Sequence, residues 1–293
     1  MKILLGLLLV SLAAAADDPL KVLVWDERQP RQAEAYDNFL GNEIGERLRA
    51  LPGLEVESVG QDDPGFGLGA LDSQHVLLWW GHVRQGEIPT EVGRRIVERV
   101  RSGRLALVAL HSAHWSVPFM EAMFSRTRDD ARRRFPDPQT EIEFVPPAGR
   151  LPPTYDSIVT PAYYALKRGG KVSQVRVDLP NCVFPGVDAH GRPSLVTVTM
   201  PEHPIMEGLP SQFAIPRSEM YDEPFHVPEP DQVLFREDWR GGGRFRGGMV
   251  WNLGQGKVFY FRPGHETFPV FKDPNVMKIL ENAVRWLGGQ VKH

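Results

Sequence analysis

The sequence predicts an α/β protein with a doubly wound, mostly parallel sheet, and three observations carry that prediction. Short apolar runs such as Val76-Leu77-Leu78 and Leu105-Ala106-Leu107-Val108-Ala109 read as strands buried on both faces. Segments with helix-period apolar residues alternate with them. Three strand-like runs also lead into histidines, at Trp79-Trp80-Gly81-His82, at Leu110-His111-Ser112-Ala113-His114 and at Pro263-Gly264-His265-Glu266. Open α/β sheets bind ligands beyond the carboxyl ends of their strands. Imidazoles delivered from three such ends meet in one place.

The elements follow in order. Residues 1–16 have the layout of a secretory signal: Lys2, an apolar stretch from Ile3 to Leu12, then small residues Ala13 to Ala16. The stretch is short for a membrane span, and no cysteine follows it to carry a lipid. An exported protein is expected, cleaved near Ala16, with a single domain over 17–293 and no stable membrane anchor. Lys21 to Trp25 is the first strand, ending at Asp26-Glu27. Ala33 to Leu51 has apolar residues at helical spacing (Phe39, Leu40, Ile44, Leu48) and stops at Pro52-Gly53. Leu54–Val59 and Gln74–Trp80 are strands, Pro89–Arg101 an amphipathic helix, Leu105–Leu110 a strand and Ser116–Phe124 a helix.

From about 126 to 201 the regularity fades. Prolines 136, 138, 146, 147, 152, 153 and 161 break long elements, although Lys171–Asp178 and Ser194–Thr199 look like short strands. An irregular, proline-rich insertion is expected, either crossing the functional edge of the sheet or packing elsewhere. Strands resume at Gln232–Phe235, Gly248–Leu253 and Lys257–Phe261, with a hairpin turn at Gly254-Gln255-Gly256. Asn275 to Leu287 closes the chain as a helix.

Composition narrows the function classes. Of 293 residues 42% are hydrophobic and 24% charged, ordinary for a folded domain, and the formal net charge is −3, or −4 without Lys2. A mildly acidic chain has no broad electrostatic footprint for nucleic acid. Cys182 is the only cysteine, so no intrachain disulfide forms, and its Pro180–Pro185 setting lacks the strand-to-helix turn of an activated thiol. Gly65-Phe66-Gly67-Leu68-Gly69 has the wrong spacing for a phosphate-binding fingerprint.

Taken together, Val24-Trp25-Asp26-Glu27, Trp79-Trp80-Gly81-His82, Leu110-His111-Ser112-Ala113-His114, Glu202-His203-Pro204-Ile205, Glu219 to Phe225, Phe261 to Thr267 and Asn282 to Trp286 resemble the trehalose-utilisation, or ThuA-like, family. The resemblance runs in family order from about residue 21 to 287. It implies a class I glutamine-amidotransferase-like fold, that is, a flavodoxin-like sheet with flanking helices, and a link to disaccharide catabolism. Two features depart from the pattern: family members are often cytoplasmic, and the stretch from His114 to His203 is longer here than in compact members.

Glutamine hydrolysis needs a thiolate on the sharp turn after a central strand. The corresponding turn here, Ala109 to Ala113, has no cysteine, so no glutaminase activity is expected. Ser112 lacks a Gly-x-Ser-x-Gly elbow and reads as a helix cap more readily than as a nucleophile. His82, His111 and His265 are the ligands a divalent metal such as zinc would use, with Glu219, Glu223 or Glu266 able to complete the set. A metal-free sugar pocket needs the same residue types, and both alternatives stay open. Sugars present hydroxyls to carboxylates and C–H faces to rings. Asp26, Trp80, His82, Ser112, His114, Glu219, Tyr221 and Glu223 are therefore the expected substrate-binding set, with one of Trp79 and Trp80 expected in the core.

These expectations converge on an exported sugar isomerase, lyase or hydrolase acting on a disaccharide or keto-glycoside. Proton transfer is assigned to His111 or His265 with Glu27, Glu219 or Glu266 as partner, since imidazole titrates near neutrality. The competing expectation is a non-catalytic carbohydrate-binding or assembly protein using the same cleft. The partner expected is a small-molecule carbohydrate, with homo-oligomerisation left open.

Overall fold

Alternation along the apolar strands builds two cores, one on each face of a nine-stranded sheet. The structure, a computed structural model, describes residues 18–149 and 151–292, so the signal-like segment lies outside the described residues. Strands β1 (Leu20–Asp26), β2 (Leu54–Gly60), β3 (Val76–Trp80) and β4 (Ala106–Leu110) pair in the parallel order β2-β1-β3-β4. On one face Val22, Val24, Leu78 and Val108 pack under helix α1 (Leu40–Arg49) and the C-terminal helix Pro274–Gly288. On the other, Leu23, Leu77, Leu107 and Ala109 pack under α2 (Thr90–Arg101) and α3 (Val117–Arg134).

The expected helix from Ala33 to Leu51 is instead two pieces, a short 3₁₀ turn at Pro30–Glu34 and α1. Phe39 between them sits at φ 58°, which interrupts any continuous helix. Helix α1 then starts on side chains from outside itself: Gln32 accepts from the Leu40 amide and Asp26 from the Gly41 amide, both at 2.8 Å. The cap of α3 is Ser116, which accepts from the Phe119 amide, and not Ser112.

The stretch 126–201 is more regular than expected. It contains the second half of α3, then β5 (Glu141–Val145), β6 (Ala162–Arg168) and β7 (Lys171–Asp178), which form a separate sheet in the order β5-β7-β6. Next come β8 (Gly186–Val198) and β9 (Gln212–Asp222). The expected strand Lys171–Asp178 is present as β7, exposed positions hide β5, β6 and most of β8 from an apolar pattern, and Pro193 falls where the β8–β9 register slips. The described parts of this stretch without helix or strand include 146–149, 151–161 and 179–185. Strands β10 (Gln232–Trp239), β11 (Arg244–Leu253) and β12 (Gly256–Phe261) complete the large sheet, whose order continues β4-β12-β11-β10-β8-β9. β12 is parallel to β4 and the last four pairings are antiparallel, so the sheet is mixed. Helix α4 (Pro274–Gly288) closes the fold, capped by Asp273.

Candidate functional site

β3, β4 and β12 are neighbours and parallel, so the three histidine-bearing turns leave one edge of the sheet side by side. His111 follows β4 directly and has φ 52°, the sharp strand-end turn on which related folds mount a nucleophile. Three contacts hold it. Its Nδ1 is 2.8 Å from the Arg262 carbonyl oxygen, its own carbonyl accepts from Tyr260 Oη at 2.8 Å, and its ring stacks on Tyr221 at 5.2 Å.

Those contacts decide a proton position. A carbonyl only accepts, so His111 Nδ1 carries a hydrogen and donates it. The other nitrogen, Nε2, is 3.0 Å from Glu219 Oε2. A lone pair does not face a carboxylate oxygen at that distance, so a proton lies between them. Glu219, on β9, is pushed up by burial, but the His111 hydrogen bond and the charges of His111, His265 and His82 hold its carboxyl below the usual range.

A second histidine–carboxylate pair lies beside the first. His82 Nδ1 is 3.0 Å from Glu266 Oε2, with His82 about one-third exposed and Glu266 fully buried. Burial lowers the basicity of His82, yet the hydrogen bond to Glu266 and the charges of Glu266, Glu219 and Glu27 outweigh it and raise the imidazole above its ordinary value. Burial likewise opposes ionisation of Glu266, and His82 and His265 reverse this, bringing it down to about 2. His265 stands between the pairs, its ring centre 5.7 Å from that of His111 and 6.0 Å from that of His82. Its Nδ1 accepts from the Thr267 amide, leaving the hydrogen on Nε2, which is 4.0 Å from Glu219 Oε1. Burial and the charge of His111 lower His265 to about 4, so it is neutral at pH 7.

A cavity of about 260 Å³ opens over this arrangement, and His82, Ser112, His114, Glu219 and Tyr221 line it. His111, His265 and Glu266 form the layer behind. His114 donates from Nδ1 to the Cys182 carbonyl at 2.6 Å, and burial lowers it to about 3. The other expected binding residues have structural posts. Asp26 is fully buried and accepts from the Arg28 and Gly41 amides and from Gln32. Trp80 is core and donates to the Gly264 carbonyl, while Trp79 stacks on Trp25 at 3.7 Å on the opposite face, so both tryptophans are core. Glu223 is gripped by Arg246 and by the Phe225 amide. Glu27, expected in proton transfer, accepts from the amides of His82, Val83 and Arg84 at 2.7, 2.9 and 3.1 Å. It positions the turn that carries His82.

Comparison with known proteins gives the family of the chain. Residues 21–287 match the model of the ThuA family, described as trehalose utilisation. The chain belongs to the ThuA family. Two solved structures are similar to it: a ThuA-like protein from Parabacteroides merdae and another from Bacteroides uniformis. The first is 19% identical with a TM-score of 0.59, over 94% of this chain and 92% of that one. The second is 16% identical with a TM-score of 0.57, over 94% of each chain. At these identities the likeness establishes the glutamine-amidotransferase-like fold. A comparison with curated proteins finds no match.

In this ThuA-family chain the turn after β4 carries His111, and the lone cysteine is elsewhere. Cys182 is fully buried with its thiol pushed up by burial. The three expected metal ligands are close together, but each faces its own partner. Among the described residues no group of three or more His, Cys, Asp or Glu side chains is set to hold a metal ion. The arrangement consists of two histidine–carboxylate pairs with His265 between them. No helix among the described residues is long and apolar enough to cross a membrane.

Several residues that matter at the site went unmarked in the sequence. Arg262 is fully buried, forms a two-pronged ion pair with Glu237, and donates to the Glu219 carbonyl at 2.7 Å. Its backbone carbonyl also orients His111, so one residue sets both members of that pair. Gln85 ties the two histidine turns together by donating to the Ser112 carbonyl at 2.9 Å. An arginine directly after an apolar strand and before Pro263-Gly264 was the available signal for the first. Gln85 had none.

Proposed function

We propose that this protein is a sugar-directed acid–base enzyme acting on a sugar or oxidised glycoside, as an isomerase, lyase or hydrolase. The observation that carries the proposal is two histidine–carboxylate pairs, His111–Glu219 and His82–Glu266, set at one cavity. Glu219 is kept anionic and His82 is biased toward the cation, each by a buried partner of the opposite type. Glu219 is placed to accept a proton from a substrate carbon or hydroxyl, with His111 Nε2 sharing the proton between them. His82 is placed to donate to a carbonyl or departing oxygen, with Glu266 holding its ring. Two carriers poised in opposite protonation states are the working arrangement of general acid–base catalysis. The membership in a trehalose-utilisation family supports a carbohydrate as ligand. Export after cleavage near Ala16 belongs to the same proposal, and fractionation of expressing cells checks it.

Turnover of disaccharides and their 3-keto derivatives, followed by mass spectrometry, tests the assignment. Glu219→Gln should lower turnover by about 10²–10⁴-fold, the contribution of one positioned acid or base. Saturable sugar binding with no chemical change in any ligand would overturn the enzymatic reading and leave a carbohydrate-binding protein.

A further inference from the structure

The pocket is made of two unlike halves. Its polar groups stand on the large sheet: His82 after β3, Ser112 and His114 after β4, Glu219 and Tyr221 on β9. Every lining residue supplied by the segment 151–187 is apolar, namely Pro152, Val183, Phe184, Pro185 and Val187. Val83 and the Trp115 ring extend that wall, Trp115 Nε1 being buried without a protein partner, and among the described residues no lysine or arginine lines the cavity. Val83 and Val187 are 65% and 59% exposed, so a ligand covering them removes apolar surface from water at the pocket mouth.

The polar half has limited capacity. His114 Nδ1 is engaged with the Cys182 carbonyl, the Gln85 amide with the Ser112 carbonyl, and Tyr221 Oη lies 3.3 Å from His111 Nε2. The groups left without a protein partner, Gln85 Oε1 and Trp115 Nε1 among them, lie on or beside this polar side, where a sugar ring's hydroxyls find partners. A second ring would press hydroxyls against Val183, Pro185 and Val187, where no partner compensates their lost water.

We infer that the pocket selects a glycoside with a single sugar ring and an apolar aryl or alkyl aglycone. The sugar lies at Glu219 and His82, and the aglycone lies along the wall contributed by residues 152–187. This inference rests on the sugar-directed reading of the site. Its distinctive content is that the second half of the ligand is not a sugar.

Calorimetric titration with matched phenyl and methyl glycosides of glucose and galactose, with glucose disaccharides and with phenol tests it. Phenyl glycosides should bind roughly tenfold or more tighter than methyl glycosides, the scale of one apolar group seated in an apolar pocket. Val187→Asp, at an exposed position that folding tolerates, should bring the phenyl-to-methyl ratio close to one. A circular dichroism spectrum matching the parent verifies the fold. Disaccharides that bind as tightly as phenyl glycosides would overturn this inference and leave the sugar site standing, as would a phenyl advantage that survives Val187→Asp. Phenol binding as tightly as the phenyl glycosides, or no binding by any sugar derivative, would overturn both.

Discussion

His82 and Glu266 illustrate how a buried neighbour sets the charge of a working group. The imidazole is raised, so the stability it gains from Glu266 is full below about pH 6.5 and is lost as pH rises through its higher folded value. The carboxyl is lowered to about 2, so the same pair persists above about pH 4.5 and is lost only as pH falls through about 2. If His82 is the proton donor, the alkaline limb of the pH–rate profile lies above pH 6.5. Glu266→Gln should move that limb to lower pH, and an unmoved limb would exclude His82 as donor. His114 and His265 respond in the opposite sense, with folded values lowered to about 3 and about 4. Between those values and about 6.5 the unfolded chain binds more protons, so stability drops as pH falls. Each histidine should cost roughly 2 kcal/mol on going from pH 7 to pH 5. Urea unfolding at the two pH values measures this, and His114→Gln should remove its share of the slope.

The strand–turn units show what was legible in the sequence and what was hidden. β3, β4 and β12 read correctly because strands buried on both faces are continuous apolar runs, and the histidines after them were placed at one edge by that reading alone. β5, β6 and most of β8 carry exposed positions and stayed obscure. The site was legible as a set of residues but not as pairs. Glu219 arrives from β9, over a hundred residues from His111, and no spacing rule links them. Sequence also could not tell a carboxylate that meets ligand from one that holds a loop, which is the difference between Glu219 and Glu27. Glu27→Ala should free the three amides at 82–84, destabilise the protein by about 2 kcal/mol or more, and raise hydrogen exchange at those amides. Unchanged exchange there would show that the turn does not depend on Glu27.

Across the molecule, the Arg262–Glu237 pair joins the parallel half of the sheet to the antiparallel half. Arg262 follows β12 and Glu237 lies on β10, both fully buried, with Ser194 of β8 donating to Glu237 at 2.8 Å. Removing one charge strands the other away from water. Arg262→Leu should therefore cost about 3–5 kcal/mol, and Arg262→Leu combined with Glu237→Leu should recover much of the loss. Thermal unfolding of the single and double variants decides this, and a double variant no more stable than the single one would show that the pair is not an isolated unit. The two cores flank the sheet from which the site residues come, Glu219 on β9, His111 directly after β4, His82 two residues after β3 and His265 and Glu266 in the loop after β12.

The division of the cavity between two parts of the chain has a consequence for how such proteins diversify. In the proposed enzyme, acid and base are fastened to the sheet, while the wall facing them is drawn from residues 152–187, which meet the site through Phe184 against Tyr221 and the Cys182 carbonyl at His114. Selectivity and reactivity would then sit on different stretches of sequence that meet at Tyr221 and His114. Exchanging that one stretch between relatives would retune which molecule is accepted while the proton machinery is inherited intact.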